Sequence, residues 1–253
     1  MSYERPYFED INYRPLLYYV IFEVSDEELN VSRERHKVDA FPDGLNFTIC
    51  KKEENSEYMS ALLGGELGKI LAERNHSLYE TAYKANQWAV IQGEIEQDQD
   101  LNYMRNVIGF VQALVETGAV AVLDLLTFTL FTPEEWTENI FAPDFDPYAH
   151  VVILESVMED GSVWLHTRGL GKFGRPDISL EDVDNNEIEQ AVRVVNQLLY
   201  YSVLGAFFSR PTKVHTHTGQ AYIVNAKFHD DFDNPDFNNA FYQISWKECE
   251  LAE

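Results

Sequence analysis

The stretch H-T-R-G-L-G-K-F-G-R-P-D, His166 to Asp177, contains G-L-G-K-F-G, a formal match to the G-x-G-x-x-G pattern of dinucleotide-binding loops. How it is read decides the fold class. In a doubly wound α/β protein the third glycine opens a helix whose N-terminus faces the pyrophosphate. Here Gly174 is followed by Arg175-Pro176, and proline restricts the residue before it to extended geometry. The D-I-S-L that follows reads as a further extended piece. The helix needed for phosphate binding is therefore missing. A kinase glycine loop would need a V-A-I-K-type lysine with H-R-D and D-F-G segments downstream. None is present, and H-D-D-F-D around Asp231 is only superficially similar to the last. No nucleotide and no other cofactor is expected.

Outward from this loop, strands and helices alternate without regular β-α-β units. Leu16 to Val24, Leu45 to Cys50 and Trp88 to Ile95 are rich in aromatic and β-branched residues and read as strands. Tyr58 to Arg74 reads as one helix. Asn102 to Thr117 carries Met104, Val107, Ile108, Val111, Leu114 and Val115 on one helical face closed by Gly118. Ala119 to Phe128 reads as a central strand, and T-P-E-E-W begins a short helix capped by Thr132. His150 to Val157 and Ser162 to Thr167 form a hairpin across Asp160-Gly161. The longest helix opens at Asp184 or Asn185 and reaches about Phe208. Val214 to His217 and Ala221 to Phe228 form a second hairpin, and Ala240 to Trp246 adds a last strand.

The expectation is an α+β class with mixed, largely antiparallel sheets and packed helices. The chain is expected to form a single compact unit over residues 1–253. The alternative is two packed α+β halves, about 1–142 and 148–253, divided in the acidic stretch Pro143 to Pro147.

A length of 253 residues with 45% hydrophobic content suffices for a sizeable core. The net charge is -24, from 43 acidic against 19 basic residues. Between Ala85 and Thr167, Arg105 is the single basic residue against fourteen acids. Such a field repels phosphate backbones and anionic lipid, which argues against nucleic-acid and membrane-surface roles. The first ten residues, M-S-Y-E-R-P-Y-F-E-D, lack the basic start and apolar run of a secretory signal. The greasy stretch Val107 to Phe131 is interrupted by Gln112, Glu116 and Asp124, so no membrane span is expected. Cys50 and Cys249 lie far apart without C-x-x-C spacing, which suits a reducing cytoplasm and structural thiols.

Against this acidic background Arg168, Lys172 and Arg175 form a basic island. Gly169, Gly171 and Gly174 could adopt positive φ and turn successive amides into an anion-binding nest. Two readings compete. In one, the cations pair internally with surplus carboxylates. In the other, Arg168, Gly169, Gly171, Lys172, Gly174 and Arg175 hold a carboxylate, a phosphate or an acidic segment. Arg168, directly after a strand, is expected to be internal; Arg175, just before proline, is expected to point outward.

The run T-R-G-L-G-K-F-G-R-P-D also resembles the hallmark of a family of bacterial domains in which T-R-G-L, a few residues, then F-G-x-P and an acid recur. Together with A-V-A-V-L-D and T-P-E-E-W, the similarity covers about Gly118 to Asp182. Thr167, Arg168, Gly169, Leu170, Phe173, Gly174, Pro176 and Asp177 carry it. The resemblance implies no chemistry or cofactor.

A second candidate is H-T-H. On a strand, His215 and His217 would project from one face about 7 Å apart and could share a metal. Further ligands would come from His229, Asp230 or His166. D-D-F-D-N-P-D-F-N lacks the sixth-position glycine and closing glutamate of a calcium loop. There is no G-x-S-x-G and no H-E-x-x-H, and the 43 acids make carboxylate pairs uninformative.

The composition thus points to a cytoplasmic, non-catalytic acidic module that binds a basic protein partner, as an inhibitor or immunity protein does. The alternative is a metal-dependent hydrolase using His215 and His217. Oligomeric state is not legible.

Overall fold

The computed structural model describes residues 3–25, 29–216, 218–232, 234 and 236–252. The chain divides into two compact units, Met1–Tyr3 with Leu16–Phe145 and Glu4–Pro15 with Asp146–Glu253. The division falls between Phe145 and Asp146, inside the acidic stretch. Both units combine helices with largely antiparallel sheets, which places the chain in the α+β class. Among the described residues no helix is long and apolar enough to cross a membrane.

In the first unit the elements run β1 (Leu16–Phe22), α1 (Arg33–His36), β2 (Leu45–Lys51), α2 (Lys52–Leu63), α3 (Glu66–Arg74), α4 (His76–Lys84) and β3 (Gln87–Glu94). They continue through α5 (Asn102–Val115), β4 (Ala121–Asp124), β5 (Thr129–Phe131) and α6 (Pro133–Glu135). The strands form one antiparallel sheet in the order β2-β3-β1-β4-β5. β1 is central and its apolar run is buried on both faces, as such a position requires. Val20 and Phe22 join Met59, Leu63, Leu71, Leu78 and Trp88 in a core under α2, α3 and α4. From the other face, Tyr19 meets Trp136 edge-on at 5.6 Å.

Two expectations change here. The single helix Tyr58 to Arg74 is two helices, because Gly64-Gly65 ends one and starts the next. Gly68 then lets α3 fold back onto α2, since a β-carbon there would stand 1.7 Å from the Leu63 carbonyl oxygen. The strand Ala119 to Phe128 is neither central nor continuous. The buried Asp124 side chain accepts the Leu126 N–H at 3.0 Å, closing a turn that returns the chain into β5. The capping at T-P-E-E-W forms as a reciprocal box between Thr132 and Glu135.

In the second unit follow β6 (Val152–Val157), β7 (Val163–Arg168), β8 (Asp177–Val183), α7 (Ile188–Val203) and β9 (Thr212–His215). The last elements are β10 (Ala221–Val224), β11 (Lys227–His229), β12 (Phe241–Ser245) and β13 (Glu250–Leu251). The larger sheet has the order β11-β12-β8-β7-β6, with β12 and β8 parallel and the other pairs antiparallel. The smaller sheet is β13-β10-β9. The helix expected to reach Phe208 stops at Val203. Gly205, at φ +102, follows its C-terminus as left-handed helix ends favour.

Candidate functional site

The H-T-R-G-L-G-K-F-G-R-P-D stretch leads from β7 through a 3-10 turn, Leu170–Phe173, directly into β8. No helix follows Gly174. Gly169 and Gly174 take positive φ, +116° and +60°, whereas Gly171 lies inside the turn. The three-glycine nest therefore does not form.

The basic island is buried rather than presented. Arg168, Lys172 and Arg175 are 4%, 0% and 1% exposed. The outward placement expected for Arg175 is corrected: its side chain runs back beneath the segment Glu4–Pro15. Nη2 donates to the carbonyls of Glu9 and Gly205 at 2.6 Å each, and Nη1 to that of Gly174 at 2.8 Å. Arg5 completes the clamp by donating to the Phe173 carbonyl at 2.9 Å. Both guanidiniums lie over the Phe8 ring, at 5.0 and 5.6 Å from its centroid. Pro176 suggested a surface connection, but a guanidinium reaches far enough to be consumed by carbonyls remote in sequence. Gly205 permits the approach, since a β-carbon there would sit 2.6 Å from the Phe8 Cα.

Arg168 donates to the Asp236 carbonyl. Beside it, Asp177 is the polar centre of the loop. Its Oδ1 accepts from the Thr167 hydroxyl at 2.8 Å and the Leu170 N–H at 3.2 Å, and its Oδ2 from the Asn239 amide at 2.8 Å. Burial pushes its carboxyl up to about 6, against those hydrogen bonds and the Arg168 charge, which pull it down. The signature residues thus have internal partners that account for their chemistry.

The histidine pair is not brought together as a described site. His215 is exposed on β9, and His217 lies outside the described residues. His166 is stacked on Trp164 at 4.0 Å, with its pKa lowered to about 4 by burial and by Arg168. His229 is stacked on Phe241. Among the described residues no three His, Cys, Asp or Glu side chains gather as metal ligands.

A different constellation does form on the outer end of the larger sheet. Met158, Glu159 and Asp160 from the β6-β7 turn, Trp164 from β7, and Glu181 and Asp182 from β8 line an open groove of about 350 Å³. An irregularity in register between Val163 and Leu165 and a left-handed Asp182 at φ +61 shape this end. Asp160, Glu181 and Asp182 accept from neutral donors. The Trp164 indole donates to the Ser179 hydroxyl at 2.8 Å, and that hydroxyl donates to Glu181 at 3.2 Å. Gln243 donates to both Glu181 oxygens and Ser245 to Asp182 at 2.6 Å. Ser162 donates twice to Asp160, and these bonds, with Lys247 contributing, hold its carboxyl below the usual range.

Among the described residues no Lys or Arg forms an ion pair with Glu159, Asp160, Glu181 or Asp182. Sequence reading missed this groove because acids are abundant everywhere. Only the Asp160-Gly161 turn marked its position.

Comparison with known proteins returns no match: no family model, no curated protein and no solved structure corresponds to the chain.

Proposed function

We propose that this chain is a non-catalytic, cytoplasmic binding module that recognises a basic partner protein, in the manner of an inhibitor or immunity protein covering a cationic cleft. The groove beside Trp164 carries the reading. Four carboxylates without a described ion pair line it beside an indole that can face a cation, and three of them, Asp160, Glu181 and Asp182, are prearranged by hydroxyl, amide and backbone donors. Val157 and Met158, 72% and 46% exposed at the rim, offer apolar surface to the aliphatic stem of a lysine or arginine. The net charge of -24 would speed encounter with a cationic surface and oppose nucleic acid.

The test is a calorimetric titration of the full chain with a capped lysine-rich peptide at low salt. Saturable binding that weakens about tenfold in a Glu159→Gln/Asp160→Asn variant is expected. Both side chains are exposed, and the amide of Asn retains the turn's acceptor for Ser162. Equal affinity in the variant, or no binding by the wild type, would sink the proposal.

A further inference from the structure

The first unit holds a feature of the opposite sign. Arg33 and Arg35 from α1, Lys37 immediately after it and Arg105 from α5 line one cavity of about 580 Å³, with Asp39 as the acid in its wall. In a chain with 43 acidic and 19 basic residues, four cations converge where Arg105 is the single basic residue of a long acidic stretch. We propose that this cavity is a binding site for a small organic dianion, a phosphate monoester or dicarboxylate borne on an apolar body.

Three observations support the assignment. The first is the charge within the wall. Arg33 and Arg105 share the one carboxylate of Asp39, and Arg35 is paired with Glu116 at 2.7 Å. Lys37 donates to a neutral acceptor, the Glu34 carbonyl, at 2.9 Å. Four cations thus line a wall whose acid is Asp39, with Glu116 outside it offsetting Arg35, and the excess positive charge suits an anion.

The second is an unsatisfied donor. Arg105 Nε is buried without an acceptor, although its Nη2 bonds Asp39. A small rotation of the guanidinium toward a ligand oxygen would satisfy it, and planar guanidinium forks suit carboxylate and phosphate oxygens.

The third is backbone conformation. Lys37 has φ +62, a left-handed state that glycine or asparagine adopts readily and lysine rarely. This left-handed C-cap closes α1, its N–H donating to the Arg33 carbonyl at 3.1 Å, and the cap places Lys37 in the cavity wall.

Ile108, Phe141 and Pro143 line the remainder and provide the apolar wall. The volume lies within the range of small-molecule sites, roughly 300–1,000 Å³. The surrounding acidic field selects for size. Charges beyond about 8–10 Å are screened at physiological salt, so a small anion feels the nearby cations, whereas a polyanion must also cross the acidic surface.

This inference does not rest on the groove beside Trp164, and its test is separate. Full-length protein is titrated calorimetrically with phenyl phosphate and with phthalate, using inorganic phosphate as the headgroup alone. One-to-one binding of phenyl phosphate or phthalate, tighter than that of inorganic phosphate, is expected, and the tighter of the two identifies the headgroup. Arg33→Gln removes a largely exposed side chain, so it should leave folding intact and weaken binding about tenfold. Lys37→Gly removes a charge while relaxing the left-handed backbone. It should keep or raise the melting temperature and still weaken binding. A purely structural cluster predicts the reverse for Lys37→Gly, a lowered melting temperature. The proposal is overturned if neither organic anion binds at millimolar concentration, or if both variants bind as the wild type does.

Discussion

Arg175 shows how far one side chain can depart from its sequence neighbourhood. It precedes a proline in a glycine-rich connection, a setting that reads as exposed, yet it is buried and saturates carbonyls of Glu9, Gly174 and Gly205. Replacing it with alanine strands these acceptors and opens space beneath Phe8, so Arg175→Ala should destabilise the fold by about 2–5 kcal/mol. Chemical denaturation checks this, and an unchanged midpoint would contradict the clamp. Asp177 makes a pH-dependent prediction. Its folded carboxyl titrates at about 6, above its ordinary value of 3.8. As pH rises from about 4 to 6, the unfolded chain ionises first, so this group removes about 3 kcal/mol of stability across that window. His166, lowered to about 4 from 6.5, acts oppositely, because below 6.5 the unfolded chain takes up its proton first. In Asp177→Asn the opposing fall is gone, and stability should rise more steeply with pH between 4 and 6 than in the wild type. Parallel stability curves for the two proteins would exclude the raised carboxyl.

At the scale of elements, periodicity and punctuation carried most of the fold. The β1 and β2 runs, the α5 face, the Thr132 cap and the Asp160-Gly161 hairpin were all legible, because each is dictated by local propensity and turn chemistry. The absence of a helix after Gly174 was legible from Pro176 for the same reason. What was not legible depends on distant partners or on a local bond hidden in an apolar run. Gly64-Gly65 could have been tolerated inside a helix, and only the packing of α3 back on α2 makes the break necessary. Asp124 ends its strand by folding its side chain onto Leu126, a local bond that an apolar run conceals. Neither candidate cavity could be read in advance. The groove joins residues 158–164 to 181–182, and the basic cavity joins residues 33–39 to Arg105. In the latter, Gly109 gives the approach its room, since a β-carbon would lie 1.8 Å from the His36 carbonyl oxygen.

Across the whole molecule, the net charge of -24 narrows the choice of partner but does not by itself locate a site. In the proposed function, recognition of a basic protein is concentrated at the groove lined by Glu159, Asp160, Trp164, Glu181 and Asp182. Diffuse attraction by an acidic surface would also retain basic proteins and release them with salt, so salt sensitivity alone does not separate the two. The most direct measurement is a pair of parallel pull-downs from lysate over rising sodium chloride, one with the wild type and one with Glu159→Gln/Asp160→Asn, each identified by mass spectrometry. The variant changes the net charge by only two units, from -24 to -22, because Glu159 and Asp160 each lose one negative charge. A basic protein is expected to be recovered by the wild type at low salt, to be released progressively as salt rises, and to be lost from the variant. Recovery of the same basic proteins by both baits, or of acidic partners alone, would contradict it.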